Sequence, residues 1–359
     1  MNTFNILVVN PKDRLTQIAL YDEFKLQFLI NRKHSGEELS YFKTMTDQVE
    51  FRKNIVINEV KNNDFDFSDL RIVISRGGLI RPVKSGVYEM NEALRHDLTF
   101  SPVGDDIINI GGLLADAISA EFPGVKALIA EPTVVDELEP IARITGYPEL
   151  SRKSIFHALS QKGVAKRHAE SQSKKYEDLN LIVVHMGNGT TVGAHEKGRV
   201  IDVNQGFDGD GPFSAIRSGT LPMGEVVKLC YSGKKTKEEM LCLLTQCGGL
   251  NAHLGTTNIS EIEKRIENND THAKIVMEAM AYQIAKAIGE MYAVLKANVN
   301  AILITGELAH SEFVIHKILE HVEQFAPVFV YPGDNDVLAL AANANRVLKG
   351  DMNILEYPS

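Results

Sequence analysis

Short apolar runs closed by polar or glycine-rich turns recur along the chain. Ile6-Leu7-Val8-Val9 leads into a polar stretch at residues 11–15, and Thr16-Gln17-Ile18-Ala19-Leu20-Tyr21 resumes the apolar pattern. Residues 181–184 close at His185, pass through Met186-Gly187-Asn188-Gly189-Thr190 and resume as Thr191-Val192-Gly193-Ala194. A β-rich apolar run, a short polar turn and a second such run predict a β-hairpin. The two hairpins lie about half a chain apart, as expected if two similar halves each open with one. Two unrelated hairpins in an α/β protein fit the pattern equally well.

Other runs predict strands that end in glycine-rich or turn sequences: 71–75 before Gly77-Gly78, 127–130 before Glu131-Pro132, and 301–304 before Thr305-Gly306. Such strand ends expose backbone N–H groups where α/β folds bind ligands. Ser260 and Glu263 have capping-box spacing for a short helix. Val276, Met280, Ile284, Ile288, Met291 and Leu295 recur every three or four positions, predicting a long core helix, and residues 337–348 also read as helical. The charged stretch 174–178 interrupts the pattern before the second hairpin and places a domain boundary between residues 151 and 178.

A chain of 359 residues exceeds one simple core, so two domains are expected, divided at 160/161: residues 1–160 and 161–359. Hydrophobic content of 44% and charged content of 24% are those of a soluble globular protein. The net charge of −9, with no basic block, argues against a nucleic-acid partner. No apolar run is long enough to cross a bilayer and no signal peptide is read, so a cytoplasmic location is expected. Cys230, Cys242 and Cys247 contain no CxxC and are read as thiols in a reducing compartment.

The second hairpin carries the most chemistry. Gly187 and Gly189 flank Asn188, allowing close backbone approach to a ligand, and Thr190 and Thr191 add hydroxyls for phosphate oxygens. Asn-Gly is also a common plain hairpin turn. Further on stands Asp208-Gly209-Asp210-Gly211-Pro212-Phe213-Ser214-Ala215-Ile216-Arg217-Ser218-Gly219. Here the chain resembles the acetate and butyrate kinase family, in which a similar hairpin precedes an Arg-Ser-Gly motif. Arg76-Gly77-Gly78-Leu79-Ile80-Arg81-Pro82, Val134-Val135-Asp136-Glu137, Arg152-Lys153-Ser154-Ile155-Phe156-His157-Ala158-Leu159 and Tyr331-Pro332-Gly333 resemble the butyrate kinase branch, in order.

The resemblance implies an α/β fold of two similar domains, the duplicated ribonuclease H-like fold of sugar kinases, heat-shock chaperones and actin, with a nucleotide cleft between them. It implies a short-chain carboxylate kinase using ATP/ADP and Mg²⁺, with a short-chain fatty acid or its acyl phosphate as the other substrate, and a homodimer or higher homo-oligomer. Arg217 and Arg76 are the candidates to grip carboxylate and phosphoryl groups, with Arg81 competing for the second role. Asp136 matches a family aspartate near the transferred group and is also a natural helix N-cap. His157 reads either as a phosphoryl donor or as a core histidine. Asn10, Thr16, His185, Gly187, Asn188, Gly189, Thr190 and Gly306 are the nucleotide-binding candidates. Asp136 and Asp336 are the candidates for the metal.

Two loops depart from the family pattern. The first hairpin carries Lys12-Asp13-Arg14-Leu15 where a Gly/Ser turn is expected, and Gln17 where a lysine is expected. The adenosine loop reads Gly306-Glu307-Leu308-Ala309, with Glu307 in place of a second glycine. An active kinase in which Lys12 or Arg14 grips the phosphates is expected. The competing expectation is a non-catalytic binder of acyl phosphate or nucleotide, acting as a sensor. A sugar kinase of the same superfold is a third, which the Arg-Ser-Gly segment argues against.

Overall fold

The computed structural model describes residues 2–358 and divides into two compact units. Unit 1 runs to Val135 and includes the segment from Asn335 on, and unit 2 is Asp136–Asp334.

Unit 1 contains β1 (Asn2–Thr3), β2 (Ile6–Lys12), β3 (Leu15–Asp22), β4 (Lys25–Lys33), β5 (Phe65–Asp66), β6 (Ile72–Arg76), β7 (Val87–Glu89) and β8 (Lys126–Ala130). Unit 2 contains β9 (Asn180–Met186), β10 (Thr190–Glu196), β11 (Arg199–Val203), β12 (Ala301–Gly306) and β13 (Val328–Pro332), and the last strand, β14 (Ile354–Leu355), returns to unit 1. The sheet of unit 1 has the order β14-β7-β8-β6-β2-β3-β4, and that of unit 2 has β11-β10-β9-β12-β13. In each, a three-strand antiparallel meander is extended by two parallel strands beside its first strand. The run β4-β3-β2-β6-β8 therefore repeats as β11-β10-β9-β12-β13, and the two similar halves expected from the hairpins are present.

Period-two alternation divides the faces of unit 2's sheet. Ile182, Val184, Ile302 and Ile304 join the core formed with Met277, Met280, Ile284 and Ile288 of the helix Thr271–Val294. Leu181, Val183, Ala301 and Leu303 face the opposite way, onto Val164 and Ala165 of the helix Ala158–Ser171. Burial on both faces explains why these strands read as unbroken apolar runs rather than as alternating ones.

The domain boundaries differ from the single division expected at 160/161. The helix after the last strand of each half packs in the other unit. Ala158–Ser171 follows β8 but packs on β9 and β12, while Asp336–Leu348 follows β13 but packs on β2 and β6. An exchanged helix leaves no composition change at the division. Within unit 2, the cap of the helix Ile259–Glu267 is Asn258, whose side chain accepts from Glu261 N, and not Ser260. Glu263 instead accepts from Ser311 Oγ at 2.6 Å. Cys242 and Cys247, expected as thiols, form a disulfide, because the chain folds back after the helix Lys237–Thr245 and brings their Cα atoms to 5.3 Å. Cys230 is exposed and free. No helix among the described residues is long and apolar enough to cross a membrane.

Leu303 is fully buried between its sheet and the helix Ala158–Ser171. Leu303→Ala is expected to cost about 2–5 kcal/mol, read as a lower urea midpoint with an unchanged slope.

Candidate active site

In unit 2 the second hairpin turns through Gly187, Asn188 and Gly189 between the paired residues Met186 and Thr190. Gly187 N donates to Gly189 O at 3.0 Å, and Asn188 stands exposed at the tip. The need for glycine at 189 comes from a neighbour: a Cβ there would run into the guanidinium of Arg217. That guanidinium also donates to Gly206 O and lies 5.7 Å from the centre of the Phe207 ring. The motif backbone is fixed by Ser214 N donating to Arg217 O (3.1 Å) and Arg217 N donating to Ser214 Oγ (3.2 Å). Thr190, Phe207, Asp210 and Arg217 line a small pocket. The Thr190 hydroxyl is buried there without a hydrogen-bond partner. A buried polar group left unpaired costs about 1–3 kcal/mol, so this position suits a ligand oxygen.

Gly306 ends β12 at φ 98°, a conformation that favours glycine, and a Cβ there would collide with the Met186 backbone. This glycine sets the end of β12 directly against the base of the second hairpin. Glu307 follows it, exposed, at the start of a short 3₁₀ turn.

His157 and His185 lie beside the hairpin and stack on each other, ring centres 3.9 Å apart and planes 19° from parallel. A chain of hydrogen bonds fixes the first ring. Gln161 Nε2 donates to Thr191 Oγ1 (2.8 Å), which also hydrogen-bonds His157 Nδ1 (2.9 Å). Gln161 Oε1 accepts from His195 Nε2 (3.0 Å), and His195 Nδ1 accepts from the Tyr176 hydroxyl (2.7 Å). Complete burial holds the His195 pKa well below its ordinary value, so that ring stays neutral and its acceptor nitrogen is preserved. Gln161, His195 and Tyr176 were not identified from the sequence, where no motif marks them.

Asp136, expected near a ligand or metal, has a close protein partner. Both its carboxylate oxygens accept from Arg143, at 2.6 and 2.8 Å. Arg143 sits seven residues on, in the 3₁₀ turn Pro140–Arg143, a local partner whose geometry no motif announces.

In unit 1, Arg76 ends β6, donates from Nη2 to Pro11 O (3.1 Å) and places Nη1 3.8 Å from the carboxylate of Asp336. Asp336 is buried at the start of the helix Asp336–Leu348. Arg81, the competing arginine, is committed elsewhere: it donates to Asp97 (2.6 Å) and Pro358 O (2.9 Å) and lies over the Tyr357 ring. Asn10 is buried at the end of β2 and donates to Gln17 Oε1 (2.7 Å), while its own Oδ1 has no partner. The Ser75 hydroxyl and Arg76 Nε are likewise buried without partners, so the unpaired polar atoms gather where these strands end.

Thr16 corrects an expectation. It is fully buried, and its hydroxyl accepts from Arg52 Nη1 (2.9 Å) and pairs with His34 Nε2 (2.9 Å), so it cannot bind nucleotide as well. The hairpin is also longer than expected. Strand pairing continues through Pro11–Thr16 and Lys12–Leu15, leaving only Asp13 and Arg14 in the turn. Among the described residues, no three or more His, Cys, Asp or Glu side chains gather as a metal site.

The pattern of the Acetokinase family matches residues 146–337. The chain is 43% identical over 354 residues to butyrate kinase 1 and to butyrate kinase 2 of Clostridium acetobutylicum, covering 99% of this chain and 99% of each relative. The crystal structure of Porphyromonas gingivalis acetate kinase superposes with a TM-score of 0.76 at 17% identity, covering 96% of this chain and 100% of that one, and so shares the fold.

Burial and the nearby Arg52 push the His34 pKa down from 6.5 to about 4. Between those values the unfolded chain binds the extra proton and the folded one does not. Stability is therefore complete above about 6.5 and is lost as the pH falls toward 4. His34→Gln should flatten that part of a stability-against-pH curve measured by urea denaturation. Gly189→Ala is expected to displace Arg217 and lower kcat/KM by about 100-fold with a melting temperature near that of the parent, read by steady-state kinetics and calorimetry.

Proposed function

The chain belongs to the acetokinase family, and on that premise we propose that it is a short-chain carboxylate kinase, transferring a phosphoryl group between ATP and the carboxylate of butyrate or a similarly short fatty acid. The observation that carries this reading is the second hairpin, where Arg217 occupies the space that the missing Cβ of Gly189 leaves and the unpaired Thr190 hydroxyl lines the same pocket. A guanidinium, a buried hydroxyl and a glycine turn together suit an oxyanion and do not suit an apolar ligand.

In this mechanism one carboxylate oxygen attacks the γ-phosphorus, the bond from that phosphorus to the β,γ-bridging oxygen breaks, and ADP leaves with the electron pair. The protein need supply no covalent group, and its work is alignment and charge neutralisation. Arg217 holds negative oxygen of the acid or the moving phosphoryl group. His157, whose Nδ1 bonds Thr191, donates toward a phosphoryl oxygen from Nε2. Arg76 is a further guanidinium suited to neutralise anionic oxygen. Bound Mg²⁺ would neutralise the polyphosphate. Mg²⁺ takes few protein ligands, and the carboxylates that would hold it are Asp336 and Asp136, each of which also faces an arginine, Arg76 and Arg143.

Purified protein with butyrate, ATP, Mg²⁺ and hydroxylamine should accumulate acyl hydroxamate, and Arg217→Ala should lower the rate by about 100-fold or more. No product above the Arg217→Ala control, alongside measurable nucleotide binding, would overturn the kinase reading in favour of a binding protein.

A further inference from the structure

The first hairpin lacks the glycine and serine turn expected of a phosphate cradle, yet its tip is held by an unusual device. Asp13 and Arg14 join Lys12 to Leu15 in two residues, and neither has a positive φ. The two-residue turns that match the twist of paired strands require a positive φ, so this tip depends on outside support. It comes from Arg52 of the helix Gln48–Asn62, a side chain with no exposed surface.

Arg52 Nη1 donates to Lys12 O (3.0 Å), Leu15 O (3.0 Å) and Thr16 Oγ1 (2.9 Å). Nη2 donates to Asp13 O (3.1 Å), and both Nη2 (2.9 Å) and Nε (3.1 Å) donate to Gln48 Oε1, which orients the guanidinium. The remaining tip carbonyl, Arg14 O, accepts from His34 N at 2.8 Å. The carbonyls of residues 12–15 are thus all drawn to protein donors, and the guanidinium places a positive charge beneath the tip. Asp13 and Arg14 are exposed, and their amides make no turn hydrogen bond among the described residues.

We propose that Arg52 is a positioning residue for the nucleotide: by holding the tip carbonyls inward it leaves the Asp13 and Arg14 amides, with the Arg14 side chain, to receive a phosphate group of ATP or ADP. Hydrogen bonding from a planar, multi-donor guanidinium does here what glycine's conformational freedom does in a Gly/Ser turn. Lysine cannot replace it, because one ammonium cannot reach several carbonyls in a fixed fork. The inference rests on the kinase reading only for the identity of its ligand.

The test measures KM for ATP and for butyrate, together with ADP binding by equilibrium dialysis, in the parent, Arg52→Met, Arg52→Lys and Gln48→Leu. Arg52→Met should raise KM for ATP and Kd for ADP about ten-fold or more while KM for butyrate stays within about two-fold. Arg52→Lys should recover only a small part of this. Gln48→Leu, which frees the guanidinium without removing it, should shift the same constants in the same direction by about three-fold, and it decides the matter if the Arg52 variants do not fold. Unchanged nucleotide constants in a folded variant, or parallel loss of both substrates with a falling melting temperature, would overturn the proposal. If the parent binds ADP in an Arg52-dependent way but makes no hydroxamate, the kinase reading fails and this inference stands. A parent that binds no ADP overturns both.

Discussion

The architecture of the candidate site depends on backbone brought closer to its neighbours than a side chain would allow. Gly306 lies against the Met186 backbone, and Gly189 lies against the Arg217 guanidinium. The first contact ties the end of β12 to the base of the second hairpin, and the second ties the hairpin's tip to the Arg-Ser-Gly loop. Remove either approach and Arg217, Thr190 and the strand end no longer share one place. The Arg217 guanidinium, half-buried beside the Gly206 carbonyl, brings positive charge to the pocket that Thr190 lines.

Unit 1 meets the same requirement by different means. Its hairpin tip carries bulky charged residues, and its order comes from beneath, through Arg52 and His34. Burial lowers the Arg52 pKa to about 10, which still leaves the group charged at neutral pH. The desolvation cost is offset by acceptors at every guanidinium nitrogen. Thr16, which looks like a phosphate ligand in the sequence, is instead part of that support.

What the sequence discloses is what local physics imposes. Both hairpins, the strands ending near Arg76 and Gly306, and the helix Thr271–Val294 were legible because apolar period and turn residues act over a few positions. Family motifs pointed to Arg217, His157 and the Gly-Asn-Gly turn, and the structure brings these together. The remainder was set by partners distant in sequence or by geometry without a signature. Arg52 reaches back some 40 residues to the tip, and the helices exchanged between the halves hid the true domain limits. Asp136 matched a motif, but the motif could not reveal that Arg143 grips both its oxygens. The cap at Asn258 displaced Ser260 because backbone path, and not residue type alone, decides which side chain reaches the open amides.

The central claim is that the unit 2 hairpin and its arginine serve phosphoryl transfer to and from an acyl carboxylate, not mere retention of an anion. The most direct measurement is ³¹P NMR of the protein supplied with butyryl phosphate, ADP and Mg²⁺. The account predicts that the acyl-phosphate resonance decays as ATP resonances grow in equal amount, with no inorganic phosphate beyond the spontaneous background. Persistence of butyryl phosphate, or its conversion to inorganic phosphate without ATP, would contradict it.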